Sequence, residues 1–439
     1  MSEHLYDDAL DGAETTDWSY RRNALGFSAD MALFEAAFNL IGFTTVLPAF
    51  LAALVDSEIL IGLATGMASA AWLLPQIAIA GQVAQAPRKK PLVMRAVWIA
   101  RPVVLLMALL VWLLGVRIPW LTFAVVTLCV IALFVGDAFS SVAWFDLIAK
   151  VLPLERRGRI LGLGQMVGGL LGVAAGIVVS YILGPESPWA FPNNYALVFA
   201  VSGIIFLLGG LALSLIQEPE IEAPTATPQP VRAVLASIPS ILEDDPDFRR
   251  VVIVRLLVNL MGGAGAFYVL YATLRLGFEA ADVGLFISAQ VLGSTASGGL
   301  LSLAQDRWGP VTHLRIIILL SIFPPLLALL AAPVQAVLPG ATPILFVAVF
   351  FFLGLYSAGF SWPFYNWILE YCTSPYRPLY IGLINTMSAV TMVSPAIAGW
   401  IVGSVSYRAV FAIAVGLGVV AFILSKTIPS TRVQPTIDL

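Results

Sequence analysis

Charge is scarce in this 439-residue chain: Asp, Glu, Lys and Arg make up 11% of it, less than half of the roughly 25% found in water-soluble domains. So few charged side chains cannot cover a soluble exterior, and most of the surface must face lipid. Histidine occurs twice, as His4 in the polar N-terminal stretch and His313 in a loop. An intramembrane Ser-His dyad or a His metal site cannot be assembled from these, and no metal is expected. The two cysteines, Cys129 and Cys372, lie in or beside apolar segments, unlike a secreted disulfide framework or a redox pair. A Gly-Lys-Ser/Thr phosphate loop is missing, which argues against a built-in ATPase; neither enzyme activity nor a cofactor is expected. The net charge is −3, with Lys and Arg scattered through short loops, which excludes a nucleic-acid surface. The first 24 residues are acidic and have no apolar core of the kind a cleaved signal peptide needs, so the first membrane helix is expected to direct insertion.

Apolar runs are abundant instead. Hydrophobic residues make up 59% of the chain, and mean hydropathy is +0.93. A helix crosses a hydrocarbon core of ~30 Å with ~20 apolar residues. Stretches of that kind lie near 25–54, 57–83, 92–114, 119–148, 160–183, 195–216, 249–274, 282–304, 314–334, 343–370, 379–404 and 408–425. They are continuous rather than alternating, which favours helices over barrel strands. The expected fold class is an all-α membrane protein with twelve transmembrane helices.

An even number of spans puts both termini on one side. Of the Lys and Arg residues outside the spans, 18 then fall on the side of the termini and 3 (Arg117, Arg275 and Arg408) on the other. The positive-inside rule makes both termini cytoplasmic, in a plasma or inner membrane. Residues 217–247 interleave Pro219, Pro224, Pro228 and Pro230 with Glu218, Glu220 and Glu222, a composition that cannot build a core. The expected organisation is a tail (1–24), a six-helix bundle (25–216), a cytoplasmic linker (217–247), a second bundle (248–426) and a tail (427–439). Val231, Val234, Leu235, Ile238 and Leu242 have the spacing of a short surface helix within the linker, against which Pro239 counts.

The halves repeat each other. Asn39-Leu40-Ile41-Gly42 recurs 220 positions later as Asn259-Leu260-Met261-Gly262, and the same offset relates Asp146 to Asn366, Arg157 to Arg377 and Gly162-Leu163 to Gly382-Leu383. Several matches at one offset indicate a duplicated six-helix unit and two pseudo-symmetric bundles.

Six plus six spans, with a basic loop between the second and third helices of each half, resemble the major facilitator superfamily. Gln305-Asp306-Arg307-Trp308-Gly309 is similar to the core of that family's loop signature, with Ser302 where its leading Gly belongs. The first half keeps Gly81 and Arg88-Lys89-Lys90, but Gln85 and Ala86 replace Asp-Arg. The acidic member of the latch is missing there, and Asp146 at the inner end of the fourth helix is the available substitute. Ser406-Tyr407-Arg408 before the last helix also looks like the family. The resemblance implies a monomeric secondary transporter that moves a small organic solute across the bilayer by alternating access, with a proton as one option for the coupling ion. The fifth span lacks the Gly-Pro pair of the family's antiporter-type motif, which weighs against an exporter. The competing readings are an uncoupled or drug-type exporter and, from another class, a non-transporting receptor or lipid-handling protein.

An ionisable group at mid-bilayer costs at least ~2.5 kcal/mol unless paired or hydrated. Four stand out: Glu35 in the first span, Arg255 as its equivalent 220 positions on, Arg101 in the third span and Asp137 in the fourth. Glu35 and Asn39 share a helix face, as do Arg255 and Asn259. The first and seventh helices line the cavity in the resembled family, so these faces are the expected solute and coupling site. The alternative is a structural ion pair between Glu35 and Arg255. Arg101 and Asp137 are also cavity candidates, although adjacent helices more readily bury such residues as a neutralising pair. Tyr356 and Phe360 share a face of the aromatic-rich tenth span and are further cavity candidates, with core filling as the plainer role. Gly164, Gly168, Gly172 and Gly176 form a ridge on the fifth span that permits close helix contact, and Gly293 and Ser297 on the eighth are its expected partner.

Overall fold

The computed structural model describes residues 17–219, 238–372 and 377–432. Expectations that fall on the remaining residues lie outside the described ones, as do the surroundings of Gly81 and of the Asp306 side chain.

The regular secondary structure of the described residues is all helical. The first span consists of α1 (Asp17–Ile41) and α2 (Val46–Ala52), followed by α3 (Glu58–Gln85). A third span is made by α4 (Lys90–Ala100) and α5 (Pro102–Leu114), divided where Pro102 withholds a backbone donor. Then come α6 (Pro119–Val151), α7 (Leu154–Leu183) and α8 (Asn193–Ser214). Beyond residue 237 the order is α9 (Ile238–Asp244), α10 (Pro246–Met261), α11 (Gly265–Arg275), α12 (Asp282–Val337), α13 (Thr342–Gly359), α14 (Trp362–Tyr371), α15 (Arg377–Ser388), α16 (Ser394–Ser404) and α17 (Tyr407–Ser425). Among the described residues, 11 segments are long and apolar enough to cross a membrane. Exposed residues such as Leu109, Trp112, Leu128, Leu170 and Ile177 give these helices apolar outer faces.

The repeated Asn-Leu-x-Gly motif marks equivalent breaks. Gly42 follows the last residue of α1 with φ 54°, and Gly262 opens the 3-10 turn Gly262–Ala264 that separates α10 from α11. Inside α12, Gly309 has φ 79° and ψ 176°, a left-handed conformation that glycine tolerates best. It divides 56 helical residues into two separate rods.

Several segment boundaries differ from expectation because side chains tie them down. α1 begins at Asp17, inside the expected tail. Gln217 is fixed by a reciprocal pair with Asn23: Asn23 Nδ2 donates to the Gln217 carbonyl at 3.1 Å, and Gln217 N–H donates to Asn23 Oδ1 at 2.7 Å. Residue 217 is thus held against α1. Farther along, α9 accepts Pro239 in its first turn, where no intrahelical N–H donor is required. The expected C-terminal tail also packs: Ile428 is buried and Trp367 Nε1 donates to the Pro429 carbonyl at 3.2 Å.

The apolar core has an unequal shape. At the end away from the termini, one cluster runs through both halves, from Leu47, Phe50 and Val179 to Phe267, Phe286 and Phe411. At the end of the termini there are two clusters. One is built around Phe27, Val93, Leu147 and Leu213, the other around Phe248, Leu314, Trp367 and Ile384, and among the described residues neither contains one of the other half.

Candidate functional site

In the first half the buried cation is Arg101, at the junction of α4 and α5. Its Nη2 lies 2.7 Å from Asp30 Oδ1, both side chains being at least 94% covered, and Nη1 donates to the Phe206 carbonyl at 3.1 Å. Trp144 Nε1 donates to the second Asp30 oxygen at 3.2 Å. The expected Arg101–Asp137 ion pair is thus corrected. Asp137 instead accepts from Trp72 Nε1 at 3.0 Å, while Asp30 on α1 takes the guanidinium. The reason is room: a Cβ on Gly209 of α8 would stand 2.7 Å from Arg101 Nη1 and 3.2 Å from Asp30 Oδ1, so this glycine opens the slot in which the pair meets. Asp30 lies within the first apolar run and was legible there as a further intramembrane acid.

In the second half, Arg255 of α10 is buried and bedded on aromatic rings. Its guanidinium carbon is 5.0 to 5.4 Å from the ring centres of Phe360, Phe364 and Tyr365, within cation–π range. Nε donates to Ser388 Oγ at 3.0 Å and Nη2 to Asn385 Oδ1 at 3.4 Å, and Tyr365 OH donates to the same Asn385 oxygen at 2.9 Å. Nη1 has no hydrogen-bond partner among the described residues. Asn385 and Ser388 were not singled out in the sequence; their signal is a shared face three residues apart on α15. Phe360 therefore joins the Arg255 site, whereas Tyr356 packs against the large core cluster.

Glu35 and Arg255 are not joined by an ion pair among the described residues. Glu35 is half-buried on α1. Its carbonyl accepts from Asn39 Nδ2 at 2.8 Å, and its carboxylate has neither a salt-bridge nor a hydrogen-bond partner among the described residues. Asn259, like Asn39, is half-buried.

The glycine ridge of α7 serves two neighbours. Gly164 and Gly168 meet α1 at Ser28, Ala32 and Glu35. A Cβ on Gly172 would lie 2.8 Å from Asn39 Nδ2 and 3.0 Å from Val291 of α12, and Gly176 abuts Ser288 and Gly284 of α12. Ser288 Oγ donates to the Val173 carbonyl at 3.3 Å across this seam. Gly293 and Ser297 are corrected as its partners: Gly293 faces Phe351 and Leu355 of α13, and Ser297 packs near Gly359. A second seam joins α3 to α16, where Gly62 meets Pro395 and Gly399 meets Glu58. Thr44 Oγ1 donates to Gln290 Oε1 at 2.9 Å, also between the halves. The contacts of Gly176 with α12, of α3 with α16 and of Thr44 with Gln290 join the halves toward the end away from the termini.

At the other end each half carries its own ion pairs. Lys89 Nζ is 3.0 Å from Asp146 Oδ2, so the acid on α6 does meet the basic loop. Glu218 accepts from the backbone N–H groups of Lys89 and Lys90, each at 2.8 Å, and lies 2.9 Å from Lys150 Nζ. In the second half Arg432 Nη2 lies 2.7 Å from Glu370, its Nη1 donates to the Gln305 carbonyl at 3.3 Å, and its stem lies against Gly309. Arg307 stacks over Trp308 at 5.8 Å. Glu370 stands 220 positions after Lys150, so equivalent positions carry opposite charges in the two halves. No group of His, Cys, Asp and Glu able to hold a metal occurs among the described residues.

The two helical halves meet at one end, and polar groups stand between helices that are broken at equivalent positions. The sequence profile of the Major Facilitator Superfamily matches residues 256–436. A mutant of the nucleoside transporter NupG superposes with a TM-score of 0.69 over 92% of this chain and 99% of its own, at 14% identity. A D-xylose-proton symporter gives 0.64 over 94% and 98%, at 18% identity. A bacterial homologue of the iron transporter ferroportin in its inward-facing state gives 0.65 over 92% and 98%, at 13% identity. No curated protein sequence matches. The chain has the major facilitator fold, and its second half carries that superfamily's sequence pattern.

Proposed function

We propose that this protein is a secondary transporter of twelve spans in two pseudo-symmetric six-helix bundles, acting as a monomer, and that it carries a small organic solute by alternating access. On this reading both termini are cytoplasmic and the described conformation is the inward-facing one. The observation that carries it is the shape of the core, continuous between halves at one end and divided at the other. Rocking about the two glycine seams would exchange those ends. Close backbone contact without large side chains suits such motion.

The transported solute would lie between Glu35 and Asn39 on one side and Asn259, Asn385 and the Arg255–Phe360 cluster on the other. A non-transporting receptor that had kept the fold would seal these groups against each other, and the Glu35 carboxyl, which has no partner among the described residues, speaks against that. Asn39→Cys, in a background without Cys129 and Cys372, is expected to react with an impermeant thiol reagent in inside-out vesicles and not in intact cells. Labelling from neither side would favour the sealed rival, and labelling only in intact cells would invert the topology.

We assign the coupling proton to Glu35, because its carboxyl has no fixed cation among the described residues and can take a proton from whichever compartment it faces. An approaching cation favours the carboxylate over the neutral acid. Movement of the Arg255 side toward Glu35 would therefore discharge the proton. A thermal-shift screen against sugars, nucleosides, amino acids and organic acids would supply a substrate, since a ligand of the native state raises apparent stability. Glu35→Gln should then exchange that substrate at equal concentrations in proteoliposomes while losing accumulation driven by a proton gradient. Accumulation equal to the unmodified protein would remove Glu35 as the carrier and leave Asp137 as the next candidate.

A further inference from the structure

Arg255 is a cation inside a span whose neighbours carry no opposite charge. Phe360, Phe364, Tyr365, Asn385 and Ser388 surround its guanidinium. Among the described residues no carboxylate forms an ion pair with it. An ion taken out of water into a bilayer is costly unless it is neutralised. The three rings attract the guanidinium but leave its charge uncompensated.

The donors that remain open define what is missing. Arg255 is 4% exposed, and its Nη1 has no hydrogen-bond partner among the described residues. Nε is taken by Ser388 Oγ, whose own hydrogen goes to the Ile384 carbonyl at 2.7 Å. Asn385 Oδ1 accepts from both Arg255 Nη2 and Tyr365 OH. Two donors on one oxygen fix which way this amide is turned, and they leave its Nδ2 without a partner among the described residues. Asn385 is half-buried, as are Phe360 and Tyr365. The cluster therefore offers one positive charge, two unfilled N–H donors and the faces of aromatic rings.

We infer that this cluster binds the carboxylate of an organic monoacid with an apolar body, and that such acids are the solute class of the carrier proposed above; the second clause rests on that reading. Charge sets the class. One guanidinium neutralises one negative charge, whereas a phosphate ester brings about −1.5 to −2 at neutral pH. A carboxylate has two planar oxygens, which suit the Arg255 and Asn385 donors. The rings of Phe360 and Tyr365 provide the surface for the carbon chain or ring attached to it.

The test uses purified full-length protein with acetate, butanoate, octanoate, benzoate and 3-phenylpropanoate, each beside its own amide. At least one acid should raise the thermal unfolding midpoint where its amide does not, and chloride or inorganic phosphate at the same concentration should not reproduce the shift. Arg255→Gln should weaken binding of that acid about 10- to 100-fold in a titration, the loss of a hydrogen-bonded charge. Asn385→Asp gives a reading even where Arg255→Gln fails to fold. It places a carboxylate of the same size against the guanidinium, so the variant should fold without ligand and lose the acid by a similar factor. The inference is overturned by a panel in which no acid binds, by amides or chloride acting as well as the acids, or by undiminished binding in Asn385→Asp. Uptake into proteoliposomes separates this from the transport reading. An acid that binds through Arg255 and never crosses keeps the site and removes the carrier, while uptake of a neutral or cationic solute by a protein that ignores the acids does the reverse.

Discussion

Arg101→Gln is expected to lower the stability of the folded protein by about 3–5 kcal/mol, because it leaves Asp30 as a buried charge without its cation. The Asp30 side chain is only 4% exposed, so water cannot take the place of the guanidinium. The partner is identified by rescue. Asp30→Asn in the same chain removes the orphaned charge and should recover most of the loss, since a neutral polar pair of similar shape avoids the uncompensated ion. Asp137→Asn should recover little, because Asp137 has Trp72 as its hydrogen-bond donor. The thermal unfolding midpoint of the purified variants measures this. Rescue by Asp137→Asn alone would show that the sequence-level pairing was right and the structural one wrong. Gly209→Ala offers an independent probe: the added methyl group intrudes on the slot that holds Arg101, so it should shift the midpoint in the same direction by a smaller amount.

Gly284→Leu is expected to open the seam between α7 and α12. The backbones touch here: a Cβ on Gly284 would strike the Gly176 carbonyl and lie 2.5 Å from the Ser180 nitrogen. Neither neighbour is the flexible tip of a side chain, so the strain falls on the helices themselves. Overpacking typically costs about 1–3 kcal/mol. That cost bears on the conformation closed at this end, so the balance should move about 5- to 150-fold toward a conformation open there. Spin labels at Ser187 and Asp282, near the ends of the two helices, should report a longer separation in the variant. Gly416→Leu is the control, because a Cβ on Gly416 meets nothing within 4 Å. An unchanged distance distribution in Gly284→Leu would mean that the seam yields without separating the halves.

Much of this molecule is set locally and was legible in its sequence. The apolar runs follow from composition, since a backbone in lipid must satisfy its own hydrogen bonds and long apolar segments do so as helices. The repeated Asn-Leu-x-Gly pointed to a duplication, and both copies proved to mark a break in a span. The acid missing from the first basic loop pointed to Asp146, which does stand against Lys89.

What the tertiary structure alone decided is which face each helix turns to which neighbour. Arg101 had two acids on helices it can reach, and the vacancy left by Gly209 on a third helix selected Asp30. The ridge of α7 was readable as a ridge, but its split between α1 and α12, and its contact with Gly284 and Ser288 rather than Gly293 and Ser297, depend on helix rotation and crossing point. Gln217 and Glu218 looked like the start of a linker, yet the open N–H groups of Lys89 and Lys90 captured Glu218 and ordered the segment. Helix propensity and hydropathy are sums over neighbours in the chain, so sequence determines where spans form. Pairing of buried charges and close contact of backbones depend on ångström-scale distances between residues 71 to 194 positions apart, such as Asp30–Arg101, Gly209–Arg101, Gly284–Gly176 and Asn23–Gln217, and only the packed bundle sets those.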